Sequence, residues 1–256
     1  MGQKDTRAPG TVEPRQRVVL LGASNVARSL PTVVDTVQSL SDAPVEIMAA
    51  VGHGRSYGKN SWVLGRKISG ILPSELWPEL ARRPQLPTVA LVTDIGNDIL
   101  YGSSINLLLE WVEACLDRLA SAGARTTITL LPIDSLERLD AALFLMFRSI
   151  LFPRSRLTLH DARSQAREVN QRLIELAESH KTTIFPVRSA WYGFDPIHLR
   201  WPLARAAWRA ILSTATGNTA PRTTRRSGNR RTCARLRRGS DRFSVSHSAE
   251  NNRAVG

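Results

Sequence analysis

The stretch Arg17-Val18-Val19-Leu20-Leu21-Gly22-Ala23-Ser24-Asn25 decides the fold. Its apolar run, Val18 to Leu21, is short, partly β-branched and apolar on both faces, which suits a strand buried in a parallel sheet. The glycine that follows marks the turn out of the strand. Further along the chain, similar runs recur at Val45–Val51, Thr88–Thr93, Thr126–Leu131 and Thr182–Val187. The segments between them have helical spacing. In Ser104–Ala122 the residues Leu108, Val112, Cys115, Leu116 and Leu119 fall on one stripe, and in Arg163–Ser179 so do Ala166, Val169, Leu173 and Leu176. Asn25–Leu40 reads as a helix, Pro202–Ser213 begins with a well-tolerated proline, and Ser74–Arg83 reads as a shorter helix interrupted by Pro78. Five short strands with intervening helices predict a doubly wound α/β fold. Ligands in such folds bind beyond the carboxyl ends of the strands.

Composition narrows the class. With 256 residues, 42% of them apolar and 22% charged, the chain has the makings of an ordinary globular domain. Cys115 and Cys233 alone exclude a disulfide scaffold or a cysteine-rich zinc module. No stretch has the roughly 20 apolar residues of a membrane span. The start is polar, without the apolar centre of a signal peptide, so a cytoplasmic location is expected. The net charge of +13 suggests nucleic acid, but its distribution argues otherwise. Residues 218–256 carry ten arginines against Asp241 and Glu250, a net +8 that leaves only +5 for the rest. Three regions are expected: a disordered leader over 1–16, a folded domain over 17–216, and a disordered Arg-rich tail over 217–256, too poor in apolar residues to fold.

The chemically suggestive residues gather where strands should end. Ser24 follows the first strand at a turn into a helix, where free N–H groups favour negative charge; a serine there also fits a plain helix cap. The second strand runs into Gly52-His53-Gly54-Arg55-Ser56-Tyr57-Gly58, whose glycines let the backbone approach a ligand or simply turn. A dinucleotide loop fits it poorly, because the motif follows the second strand and no good helix start comes after it. The third strand leads into Thr93-Asp94-Ile95-Gly96-Asn97-Asp98, where the Asn97 amide can donate into a cleft or form an Asx turn. Asp195-Pro196-Ile197-His198 precedes the last helix. A carboxylate three residues before a histidine can take the ring's Nδ1–H and leave Nε2 as a base.

Taken in order, Ser24, Gly54, Asn97 and the Asp195/His198 pair resemble the SGNH, or GDSL-type, hydrolase superfamily over roughly residues 17–216. The resemblance implies a three-layer α/β/α sandwich with a five-stranded parallel, flavodoxin-like sheet. It implies a serine esterase that cleaves a carboxylic ester of an acetyl or short acyl group through an acyl-enzyme. Ser24 would be the nucleophile, His198 the base and Asp195 its orienting carboxylate. The oxyanion hole would comprise the N–H groups of Ser24 and Gly54 and the amide of Asn97. The chain departs from the family where Ala23 replaces the aspartate before the nucleophile. Gly52 and Gly58 compete with Gly54, which is preferred because Gly54-Arg55-Ser56 resembles the second block of carbohydrate-acetylesterase members.

The implied partner is a small-molecule, carbohydrate or lipid ester, with no cofactor and no metal. The competing classes are an inert binding module on the same fold and a nucleic-acid-associated protein acting through its tail. That tail has only Phe243 for base stacking. Leu143–Phe152 is apolar nearly all round and reads as a cleft lid or acyl-binding wall, or as a buried core helix. Trp191, Tyr192 and Phe194 are candidates for the cleft wall, and His53 for a gate beside the oxyanion glycine.

Overall fold

A computed structural model describes residues 13–63, 66–151, 155–217 and 243–245. Strand β1 (Gln16–Leu21) is followed by α1 (Ser24–Arg28), α2 (Leu30–Leu40) and β2 (Val45–Ala50). A small hairpin, β3 (Ser61–Val63) and β4 (Arg66–Ile68), precedes α3 (Leu76–Arg82) and β5 (Thr88–Val92). Then come α4 (Asn97–Leu100), α5 (Ile105–Ser121), β6 (Ala124–Thr129), α6 (Ile133–Glu137), α7 (Ala141–Leu151) and α8 (Leu159–Ser179). The chain continues through β7 (Thr183–Phe185), a 3-10 turn at Ser189–Trp191 and α9 (Trp201–Thr216), and the last described element is β8 (Phe243–Val245).

The five expected strands form one parallel sheet in the order β7-β6-β5-β1-β2. That is the flavodoxin-like order, with its topological switch point between β1 and β5. The alternation of β1 builds both cores. Val19 and Leu21 pack with α3, α5 and α8 on one face, and Val18 and Leu20 pack with α2 and α9 on the other. The result is a three-layer α/β/α sandwich. Among the described residues no helix is long and apolar enough to cross a membrane.

Several elements differ from their expected bounds. The single helix Asn25–Leu40 is two, divided at Ser29, since Pro31 has no N–H to donate to the carbonyl four residues back and is tolerated only in a first helical turn. Pro78 lies in the first turn of α3, where its missing N–H costs nothing, and interrupts nothing. Helix α8 begins four residues before Arg163, because the Thr158 side chain accepts from the Asp161 N–H and caps it. Strand β1 begins one residue inside the stretch read as leader. Of the tail, Gly217, which caps α9, and Phe243–Val245 are described. The latter segment pairs antiparallel with β2, from Ile47↔Val245 to Ala49↔Phe243, at an edge whose N–H and C=O groups are otherwise open. The rest of the tail and residues 1–12 lie outside the described residues.

Candidate active site

Gly22 closes β1 because nothing larger fits. A Cβ there would stand 2.8 Å from Val26 Cγ2 and 2.9 Å from Thr93 Cγ2. The turn sets Ser24 as the first residue of α1, with Ala23 at the cap position and no side-chain cap bond. Ser24 is therefore not a helix cap. Its Oγ lies 2.8 Å from His198 Nε2. His198 Nδ1 lies 2.6 Å from Asp195 Oδ2, and Asp195 Oδ1 accepts the Ile197 and His198 backbone N–H groups, both at 3.2 Å. Because a carboxylate faces Nδ1, that nitrogen carries the proton and Nε2 accepts from the serine. Burial works to raise the Asp195 pKa, but the His198 ring and the two N–H bonds outweigh it and hold the carboxyl below its usual value.

The third block lines the same cavity as Ser24, and the second, which does not line it, is bonded to the third. Of the three competing glycines, Gly54 alone has a positive φ, at 59°. Gly58 is reserved for packing, since a Cβ there would lie 2.0 Å from Trp111 Cε2. The Tyr101 hydroxyl donates to Gly54 O at 2.6 Å and fixes the peptide. Asn97 opens α4 without a cap bond and is 9% exposed. One of its amide hydrogens goes to Arg55 O at 3.4 Å, and its side chain lines the same cavity as Ser24. His53 is exposed beside the site, and its pKa is lowered by partial burial and by the charges of Arg28 and His198.

Three features escaped the sequence reading. The first is Asp94. Its Oδ2 accepts the N–H groups of Ala23 (2.9 Å) and Asn25 (3.0 Å), which flank the Ser24 peptide, and its Oδ1 accepts from Asn25 Nδ2 (2.7 Å). Asn25 is the second feature, because it carries this tie to the histidine loop. Its Nδ2 also donates to Ile197 O at 2.8 Å, and its Oδ1 accepts the Leu199 N–H at 2.9 Å. The carboxylate absent at position 23 is thus supplied from the end of β5. Asp94 takes a left-handed φ of 59° to do so. The third is Asp98, fully buried, which accepts from the Ser56 hydroxyl and from the Tyr57 N–H (2.8 Å) and so binds the glycine loop to the Asn97 turn. Burial pushes its pKa up to about 6, against the pull of those bonds and of Lys59.

From Ser24 and Asn97 an apolar cavity of about 120 Å³ runs between α4, α6, α7 and the loop 192–197. Phe144 and Phe147 of α7 line it, with Ile95, Leu131 and Ile197. Helix α7 is thus a cavity wall with one buried and one solvent-facing side. Of the three aromatics before Asp195, only Tyr192 lines the cavity. Trp191 stacks on Phe185 in the core, at 6.1 Å between centroids, and Phe194 is exposed. Cys115 sits in the core, where burial pushes its thiol up to about 12. Cys233 lies outside the described residues.

No protein-family model and no curated protein matches the sequence. Solved structures do match the fold. A carbohydrate acetylesterase family member from Sinorhizobium meliloti is similar over 79% of this chain and 99% of its own, at 14% identity and a TM-score of 0.55. The aryl esterase of M. smegmatis is similar over 78% and 98%, at 11% identity and a TM-score of 0.54. A member of the lipolytic protein G-D-S-L family from Veillonella parvula is similar over 79% and 99%, at 13% identity and a TM-score of 0.51. At 11–14% identity this likeness shows a shared fold, which in this chain is the three-layer α/β/α sandwich on a parallel sheet.

Proposed function

We propose that the protein is a serine esterase acting through an acyl-enzyme. The observation that carries the reading is the unbroken chain from Ser24 Oγ through the His198 ring to Asp195, at 2.8 and 2.6 Å. Ser24 attacks the ester carbonyl while His198 Nε2 takes its proton, then returns that proton to the departing alcohol. Asp195 holds the ring in the productive tautomer and stabilises the imidazolium. The oxygen that becomes negative is met by the N–H groups of Ser24 and Gly54 and by the side-chain amide of Asn97. Water, activated by His198, then releases the acid.

The cavity beside Ser24 supports a small apolar acyl group. An apolar cavity of roughly 150 Å³ holds a benzene-sized molecule, so a space of about 120 Å³ fits an acetyl or short acyl chain. Hydrolysis of p-nitrophenyl acetate and butyrate tests the reading. The wild-type chain should cleave both with a burst of nitrophenol, and Ser24→Ala and His198→Ala should each lose turnover while melting as the wild type does. Equal turnover by Ser24→Ala would end it.

A further inference from the structure

The large apolar side chains that the described residues leave in solvent are Leu145, Met146, Ile150, Phe194 and Trp201. Single exposed apolar residues are ordinary on a protein surface. Four of these five stand on the two elements, α7 and the loop 192–197, that wall one cavity, and Trp201 opens the helix after that loop. Leu145, Met146 and Ile150 lie on the outer side of α7, whose inner side gives Phe144 and Phe147 to the cavity. Phe194 lies on the facing loop, between Tyr192 and Pro196, which both line the cavity, and is 85% exposed. Trp201 follows His198 by three residues and carries the Arg28 guanidinium 6.0 Å from its ring centroid, Arg28 being one helical turn beyond Ser24.

We propose that this apolar rim docks the cavity mouth on an anionic lipid surface. Apolar side chains around a cleft gain by entering the boundary between headgroups and acyl chains, and basic charge adds attraction to anionic lipid. Charge selects this occupant over a second copy of the chain. Two copies of the chain, each with a net charge of +13 of which +8 lies in residues 218–256, repel, whereas anionic lipid complements both that tail and the +5 of the rest. An ester held in the surface would face the gap between α7 and the loop 192–197, which leads to Ser24. The docking needs no chemistry at Ser24, so it stands or falls apart from the proposed hydrolysis.

Flotation of the full chain with vesicles tests it, using phosphatidylcholine alone and phosphatidylcholine mixed with phosphatidylglycerol. Wild type and Ser24→Ala should both float with the mixed vesicles and much less with phosphatidylcholine alone. The double variant Ile150→Ser/Phe194→Ser should partition at least about tenfold more weakly, since two exposed apolar side chains no longer enter the lipid. It should melt as the wild type does and keep its turnover of a soluble short ester. Wild type that stays with the unbound fraction would overturn the proposal. So would a double variant that floats as well as the wild type, which would assign binding to charge alone. A dimer seen by sedimentation and lost in the double variant, without vesicle binding, would assign the rim to self-association instead.

Discussion

Asp94→Asn is the sharpest probe of how this chain replaces the missing aspartate at position 23. Asparagine tolerates the left-handed backbone of position 94 as well as aspartate does, so the turn itself is undisturbed. The change lies in the acceptors. The native carboxylate takes the Ala23 and Asn25 N–H groups on one oxygen and Asn25 Nδ2 on the other. An asparagine amide has one oxygen. If it serves the two backbone donors, its NH₂ faces the NH₂ of Asn25. Asn25 cannot flip in response, because its Oδ1 holds the Leu199 N–H and its Nδ2 holds Ile197 O. One charge-assisted bond is lost and a donor–donor contact replaces it, at a cost of about 2 kcal/mol. For a domain of this size that corresponds to a Tm lower by roughly 4–8 °C. The Asn25 side chain, which joins the nucleophile turn to the histidine loop, loses its support from position 94, and misplacement by an ångström costs about 10²-fold. Assayed with p-nitrophenyl acetate well below the Tm, kcat should fall about 10- to 100-fold with KM changed only a few-fold. A wild-type kcat in a folded Asp94→Asn protein would refute the positioning role.

Other substitutions separate the parts of the site. Asn97→Ala should lose about 10²–10³ in kcat with KM changed only a few-fold, as for a donor acting on the transition state; Asn97→Asp should be at least as poor, and full activity would exclude the amide from the oxyanion hole. Asp98 should leave a signature in stability against pH. Its folded pKa of about 6 exceeds the unfolded value of 3.8, so its contribution is fully present below about pH 4, falls as pH rises through 6, and is about 3 kcal/mol smaller above. Urea unfolding from about pH 4 to 7 should show that decline in wild type and a shallower one in Asp98→Asn, and parallel profiles would contradict it. Gly58→Ala must displace the Trp111 ring and should cost about 1–3 kcal/mol in a thermal melt.

Most of the fold and the candidate machinery was legible because the informative residues sit where strands end. Val18 to Leu21 is apolar on both faces because helices cover both faces of the sheet, and the turn at Gly22 follows from the space around it. Ser24, Gly54 and Asn97 follow the first three strands of the parallel sheet and Asp195/His198 come after its last, so their order along the chain carries their place at one edge of the sheet. What the sequence hides depends on partners far along the chain. Nothing near Asp94 says that its carboxylate serves residues 23 and 25, some 70 positions earlier. Asn25 belonged to the quoted motif, but its bonds to Ile197 and Leu199 exist only once the last loop is in place. Helix α7 read as either lid or core because its two sides are equally apolar. Only the cavity on its inner side and the solvent beyond distinguish them. The Thr158 cap was a local signal that helical periodicity alone passed over.

The central claim is that Ser24 is an activated nucleophile, and covalent capture tests it most directly. A fluorophosphonate probe reacts with a serine whose proton a neighbouring base removes. After labelling, digestion and peptide mass mapping, the adduct should lie on Ser24, be absent from Ser24→Ala, and be strongly reduced in His198→Ala. Labelling on Ser56, or no labelling of a folded wild-type protein, would contradict the account.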